Sequence, residues 1–516
     1  MEYVIAYDLG TTGNKATLFR VDGKLFASSF SPYDTFYPDV NWVEQDPEQW
    51  WLSVKKTTAE LITKAKVDPE SIKCVSFSGQ MMGVVPIDEE GRVLRRAIIW
   101  ADQRSVEQAK TLEYSIGNDE VYLITGGRIT PTYFGPKVAW IKENEPEIYK
   151  RTYKFLFPKD FIVFKLTGRI GTDFSDASMS NIFDMNSKQW SEKLVSALGL
   201  DLEKLPTPTA STEIVGTIRP EIALELGLSP KTIVVRGAGD GPSATVGAGI
   251  FDSAEAYLYL GSSSWISTCS ERPFLDPLAR TFNFFYPLPG FFCPTGTMQA
   301  GGGSYQWIKN TICDLESKVA NSLRIDVYSI LDDLLDNNPP GSKGLIFLPY
   351  LLGERSPRWN VNARGAFIGL SVVHSKADML RAVLEGVTMN LKIILDVFEK
   401  VAGFKFDRIR LIGGGAKGRN WRQIIADIFG KIVTVPEHPA EATSIGAAIT
   451  GAVGAGLITA EEARRFVKDV VVIEPRKEYR KLYDKLYDVF EKSYQALVTV
   501  FDELANLQKS WKEGKL

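Results

Sequence analysis

Histidine is almost missing: His374 and His438 are the only two in 516 residues. A His-rich metal centre or a histidine-based nucleophilic triad is hard to build from so few, and both read as surface or cap residues. Cysteine is nearly as scarce. Cys74, Cys269, Cys293 and Cys313 stand far apart, with neither metal-ligand nor paired redox spacing, and are expected to be reduced, buried thiols. Neither sign of charge dominates, since 60 Lys and Arg face 63 Asp and Glu for a net charge of −3. Without a basic run there is no electrostatic footprint for nucleic acid or an anionic membrane, so an anionic ligand has to be held by local geometry. No apolar run reaches the length of a membrane span. Met1 to Asp8 lack a basic segment and a long apolar stretch; no signal peptide is expected, and a cytoplasmic protein is.

Several motifs are absent too. There is no Gly-x-x-x-x-Gly-Lys-Ser/Thr loop, and no zincin or nucleophile-elbow pattern. Gly237-Ala238-Gly239-Asp240-Gly241 stops short of the dinucleotide fingerprint. A phosphate, if bound, is bound in another way.

What is present is an ordinary globular composition, 44% hydrophobic and 24% charged, in a chain too long for one hydrophobic core. The N-terminus reads as strand, turn, strand, turn, strand: Tyr3 to Leu9, a Gly10–Asn14 turn, Lys15 to Arg20, an Asp22-Gly23 turn, and Leu25 to Phe30. Asp46 then offers an N-cap with Pro47 at the first helical position. Strand-like runs such as Cys74–Phe77 and Val84–Ile87 alternate with helical patterns, the grammar of a sheet covered by helices. The opening hairpin recurs at Tyr257–Leu260, Gly261-Ser262-Ser263-Ser264 and Trp265–Cys269. Either the fold is duplicated or two hairpins are alike by chance. Duplication predicts domains at 1–249 and 250–516, divided at Gly247-Ala248-Gly249-Ile250. From Tyr479 onward, apolar residues at helical spacing predict a packing helix, with a dimer contact as the other use of that stripe.

The two hairpin turns, Gly10-Thr11-Thr12-Gly13 and Gly261-Ser262-Ser263-Ser264, combine backbone N–H groups with hydroxyls, a concave arrangement that holds anionic oxygens. Asp8 at the first strand's end faces the same cavity and could hold Mg²⁺ through water. A third cluster, Ile412-Gly413-Gly414-Gly415-Ala416, precedes a helix at Asn420–Phe429, where bare backbone lets a ligand approach. Small residues from Glu441 to Ala448 open another helix that lies against either an adenine or a neighbouring helix, and helix packing is the more ordinary outcome. Asp240 sits between glycines after the strand Thr232–Val235. It is either a carboxylate placed to take a proton from a substrate hydroxyl or an Asx-turn residue capping local backbone.

Gly365-Ala366-Phe367-Ile368-Gly369-Leu370, followed by Asp378 to Glu385, carries the most specific resemblance in the chain. With Asp8-Leu9-Gly10-Thr11-Thr12, Ser78-Gly79-Gln80-Met81, Trp100 to Arg104, Gly239-Asp240 and Gly413 to Asp427, the sequence resembles the FGGY carbohydrate kinases, and within them the xylulokinases. The resemblance runs from residue 8 to about residue 450 and implies an α/β fold of two duplicated actin-like (ribonuclease H-like) ATPase domains flanking a deep cleft. It implies ATP and Mg²⁺ as cofactors and a small sugar as substrate, with no nucleic-acid or membrane partner, and is compatible with a homodimer. Asp240 would be the catalytic base, Gln80, Met81 and Met82 would line the sugar site, and Asp8 would organise Mg²⁺. Thr11, Thr12, Gly261 and Ser262 would hold the β- and γ-phosphates, with Gly301, Gly414 and Gly415 along the nucleotide.

Met82 stands where xylulokinases commonly carry histidine, and a thioether replaces a hydrogen-bond donor there. Thr132 and Phe134 also depart from the family's first signature, although Pro136 to Trp140 fits it. The expected reaction is D-xylulose to D-xylulose 5-phosphate. Another ketose, aldonate or polyol, such as ribulose or gluconate, stays open, as does an actin-like nucleotide-binding module without sugar kinase activity.

Overall fold

A computed structural model describes residues 1–512. Two seven-stranded sheets form its framework. In the first, strands lie in the order Ile214–Thr217, Ile233–Val235, Ile72–Gly79, Tyr3–Leu9, Gly13–Arg20 and Leu25–Pro32, with Ala238–Gly239 extending the row beside Ile72–Gly79. In the second, the order is Asp469–Ile473, Ile432–Pro436, Arg408–Ile412, Ala256–Leu260, Ser264–Thr268, Phe292–Met298 and Phe282–Phe285. The first six positions correspond in pairing sense as well as in order. Tyr3–Leu9 is antiparallel to its hairpin partner and parallel to Ile72–Gly79, just as Ala256–Leu260 is to Ser264–Thr268 and Arg408–Ile412. Such agreement over two sheets is a duplicated fold, not a chance likeness of hairpins.

The local chemistry explains the elements. Tyr3–Leu9 is buried almost throughout, as a central strand covered on both faces must be. Asp46 caps the helix Pro47–Ala65 by accepting the Glu48 N–H at 3.0 Å, with Pro47 at its start. The helix Arg480–Lys512 lays Tyr483, Phe490, Tyr494 and Phe501 on the core of the second sheet. Each such ring removed from water contributes roughly 1.5–3 kcal/mol, so the stripe serves this chain's own core. All four cysteines are buried and unpaired.

The halves also share a core. The helix Ala442–Gly454 belongs to the second half of the sequence, yet it packs on Tyr3–Leu9 and Ile72–Gly79 and crosses the helix Asp240–Gly247. Val4, Ala6 and Cys74 thereby join Ile412, Ile445 and Ala448 in one apolar cluster. The small residues from Ala442 therefore serve a helix crossing: a Cβ on Gly446 would lie 1.8 Å from the Ser243 carbonyl oxygen.

Candidate active site

The Gly10–Gly13 turn is built by strand pairing and then tied from outside. Gly10 N–H donates to the Gly13 carbonyl at 3.1 Å. The Thr11 hydroxyl accepts from Trp100 Nε1 at 2.8 Å, and the Thr11 carbonyl accepts from Gln45 Nε2 at 2.7 Å. Gln45 Oε1 in turn accepts from Gln80 Nε2 at 2.8 Å, while Gln80 N–H donates to the Leu9 carbonyl at 2.8 Å. Gln80 is buried behind the cavity and couples the Gly10–Gly13 turn to the Met81-Met82 segment.

That segment has its own fixture. Met82 adopts a left-handed backbone with φ 63°, which few non-glycine residues do. Its carbonyl accepts from the buried Lys137 Nζ at 3.1 Å, and Lys137 also donates to the Ile99 carbonyl at 2.8 Å. Burial pushes the Lys137 ammonium down to about 7, with Asp102 opposing that shift.

The second turn stacks on a helix start. Gly302 and Gly303 N–H groups donate to the carbonyls of Gly261 and Ser262 at 2.8 and 2.9 Å, at the beginning of the helix Gly302–Ile312. A Cβ on Gly301 would sit 2.0 Å from Ser264 Oγ, so glycine is required for this approach. Beside it, the rings of Tyr259 and Trp265 stack with centroids 3.8 Å apart. Nothing would meet a Cβ on Gly414 within 4 Å, which leaves that backbone open.

Two carboxylates complete the arrangement. Asp8, next to last in its strand, lies beside Ser78, and its Oδ2 accepts from Thr443 Oγ1 at 2.6 Å. Lys15 reaches Glu441 at 3.0 Å next to it. Burial raises the Asp8 carboxyl, while the Thr443 and Ser78 hydroxyls and Lys15 pull it back. Asp240 opens the helix Asp240–Gly247. Its Oδ1 accepts the Gly241 N–H at 2.8 Å, so it does cap local backbone, but this uses one oxygen only. Desolvation, then the charge of Asp8, pushes Asp240 up to about 7 against that backbone bond. A carboxylate poised near neutrality at a cleft is suited to accept a proton.

Thr11, Thr12, Met81, Met82, Asp240 and Ser262 line one cavity of about 1040 Å³, large enough for a nucleotide and a small second substrate. Gly261 and Gly301 lie behind Ser262, and Asp8, partly exposed near the end of its strand, stands outside that lining with Gly414 and Gly415. A single carboxylate such as Asp8 fits Mg²⁺, which keeps several waters and takes one or two carboxylates with phosphate oxygens. No group of three or more His, Cys, Asp and Glu converges among the described residues. Other lining residues had no assigned role in the sequence: Tyr133, Arg355 and Trp359. Arg355 Nε is buried without a hydrogen-bond partner, and desolvation lowers its pKa. Nothing in the spacing of Gly353-Glu354-Arg355 marks it, because the cleft brings it to Tyr133 from the opposite half. Thr443 was hidden for the same reason.

Comparison with known proteins gives two family matches. The model of the FGGY family of carbohydrate kinases matches with its N-terminal domain over residues 3–247 and its C-terminal domain over residues 256–455. A xylulose kinase of Bacillus subtilis (strain 168) is 33% identical over 496 residues, covering 96% of this chain and 97% of that protein. A gluconokinase of the same organism is 33% identical over 517 residues, covering 98% of each. Among solved structures, a ligand-bound xylulose kinase from Lactobacillus acidophilus superposes with a TM-score of 0.89 at 28% identity, covering 98% of this chain and 100% of that one. A gluconate kinase from Lactobacillus acidophilus gives a TM-score of 0.88 at 28% identity, covering 98% and 99%.

Proposed function

This chain belongs to the FGGY family of carbohydrate kinases, and from that membership we propose that it transfers the γ-phosphoryl group of ATP to a hydroxyl of D-xylulose, with Asp240 as general base. The observation that carries the assignment of roles is the single cavity shared by Asp240, the Met81-Met82 segment and the turns at Thr11 and Ser262. The sugar hydroxyl oxygen bonds to the γ-phosphorus while the bond from that phosphorus to the bridging oxygen of ADP breaks. The hydroxyl proton passes to Asp240 Oδ2, because Oδ1 is engaged by Gly241. The transition state is loose, so positioning and neutralisation supply most of the rate. Thr11, Thr12 and the backbone around Gly261 and Ser262 hold the phosphates from both sides. Asp8 would hold Mg²⁺, which when bound neutralises phosphate charge. Closure of the halves would exclude water that otherwise hydrolyses ATP. No helix among the described residues is long and apolar enough to cross a membrane.

One observation favours a second reading. Arg355 brings an unpartnered guanidinium into the cavity, which suits the carboxylate of an aldonate such as gluconate. ADP release with MgATP, measured across ketoses, aldonates and polyols beside Asp240→Asn, separates the cases. Turnover on D-xylulose that the variant loses supports the first reading, and turnover on gluconate alone moves the assignment to the second. Sugar-independent turnover untouched by the variant would leave a nucleotide-binding module instead.

Met82 gives a finer test. Histidine tolerates a left-handed backbone better than most residues, so Met82→His keeps the loop and adds a donor. If D-xylulose is the substrate, its KM is expected to fall by about 5- to 150-fold, the value of one recovered polar contact of roughly 1–3 kcal/mol. An unchanged or higher KM would mean that the Met82 position does not face the sugar.

A further inference from the structure

Beneath the Asp240 loop lies a charge cluster that the reaction does not use directly. Lys159 Nζ stands 2.7 Å from Asp160, 2.8 Å from Asp173 and 3.1 Å from Asp176, and all four side chains are wholly buried. Buried charge is expensive unless its partners are in place, and here the partners point toward the site. Asp173 Oδ2 accepts from Ser175 Oγ at 2.5 Å and from Ser211 Oγ at 2.7 Å. Ser175 Oγ then accepts the Gly239 N–H at 2.9 Å, and Gly239 directly precedes Asp240. Gly237 N–H donates to the Ser211 carbonyl at 3.0 Å, so both glycines before the base are anchored to residues that Asp173 holds. On the other side, a Cβ on Gly79 would lie 2.9 Å from Lys159 Cβ. The lysine stem thus supports the strand end that leads into Gln80 and Met81.

We propose that Ser175, oriented by the Asp173–Lys159 pair, is a positioning residue that fixes Asp240 against the Met81-Met82 segment. The Ser175 hydroxyl has one proton, and Asp173 claims it; its lone pair is therefore left to the Gly239 N–H, which sets the direction in which the helix Asp240–Gly247 starts. The charge on Lys159 keeps Asp173 ionised and so keeps this polarity in one sense. This inference rests on Asp240 being the base, and it assigns a function to Thr172 to Ser178, a segment given none by the reaction itself.

The experiment compares Ser175→Ala, Ser175→Thr, Asp240→Asn and Ser53→Ala in steady-state assays and thermal melts. Ser53 is a buried serine that bonds the Trp50 carbonyl at 2.9 Å, and it controls for the loss of one buried hydroxyl. Ser175→Ala is expected to lower kcat by about 10- to 100-fold, the range for a base displaced by a fraction of an ångström to one ångström, with KM for ATP held within about twofold. Ser53→Ala, with a comparable loss of Tm, is expected to keep kcat, and Ser175→Thr to restore it. The relay alone is overturned if Asp240→Asn is inactive while Ser175→Ala turns over like Ser53→Ala. It is equally overturned if Ser175→Thr melts with the wild type yet stays as slow as Ser175→Ala. An active Asp240→Asn enzyme overturns the base assignment and the relay together.

Discussion

Asp240→Asn is expected to reduce kcat by about 10²–10⁴-fold while raising, not lowering, the melting temperature at neutral pH. The two effects have one cause. Desolvation, with Asp8 nearby, pushes the Asp240 carboxyl from 3.8 up to about 7, so the folded protein binds a proton there that the unfolded chain has released. A carboxyl raised in this way contributes stability that is fully present below 3.8 and is lost as pH rises through about 7. Above that pH the fold holds a desolvated charge beside another carboxylate, and asparagine does not. The proposed role as base needs the opposite protonation state, since only the ionised form accepts a proton. In the free wild-type enzyme kcat/KM is therefore expected to fall as pH drops below about 7, and the Asn variant is expected to lose that limb. Calorimetry and a pH–rate series on both proteins check the pairing. A variant that is inactive and also clearly less stable would show Asp240 to be structural, with its charge relieved by something other than a proton.

The parts of this fold that were legible in the sequence are those governed by short-range chemistry. The Asp46-Pro47 helix start, the strand-turn-strand openings at Asp8 and Leu260, and the one-sided C-terminal stripe each follow from residues within a few positions of one another. The duplication was harder, because two Gly/Ser/Thr hairpins alone do not distinguish it from chance; it became plain in the strand order, where even the edge strands Ile214–Thr217 and Asp469–Ile473 correspond. Asp240 was legible as an acid on a glycine loop, but not its elevated pKa, which depends on burial and on Asp8 some 230 residues away. Arg355, Thr443 and the Lys159 cluster escaped altogether. Arg355 and Thr443 act across the cleft, and the Lys159 contacts join segments whose spacing carries no pattern.

Gly446→Ala carries the largest expected loss of stability, and its direction runs against local propensity. Within a helix, alanine is favoured over glycine by roughly 0.5–1 kcal/mol, so a position governed by the helix alone would gain from the change. At Gly446 the new Cβ would lie 1.8 Å from the Ser243 carbonyl oxygen and 2.6 Å from its carbon. Both are backbone atoms of the helix Asp240–Gly247, with no rotamer to turn aside. The reciprocal contact is as close, for a Cβ on Gly247 would lie 1.7 Å from the Ala442 carbonyl oxygen. The helices have to separate, and overpacking of a well-filled contact costs typically 1–3 kcal/mol and more where backbone must move. Activity is expected to fall further than stability alone explains. One of these helices begins at Asp240, and the other carries Thr443, which donates to Asp8; moving them apart disturbs both carboxylates at once. Melting curves and kcat for Gly446→Ala test this. A variant that melts at or above the wild-type temperature with full turnover would mean that the crossing is loose, and that the two halves are not held in register at this point.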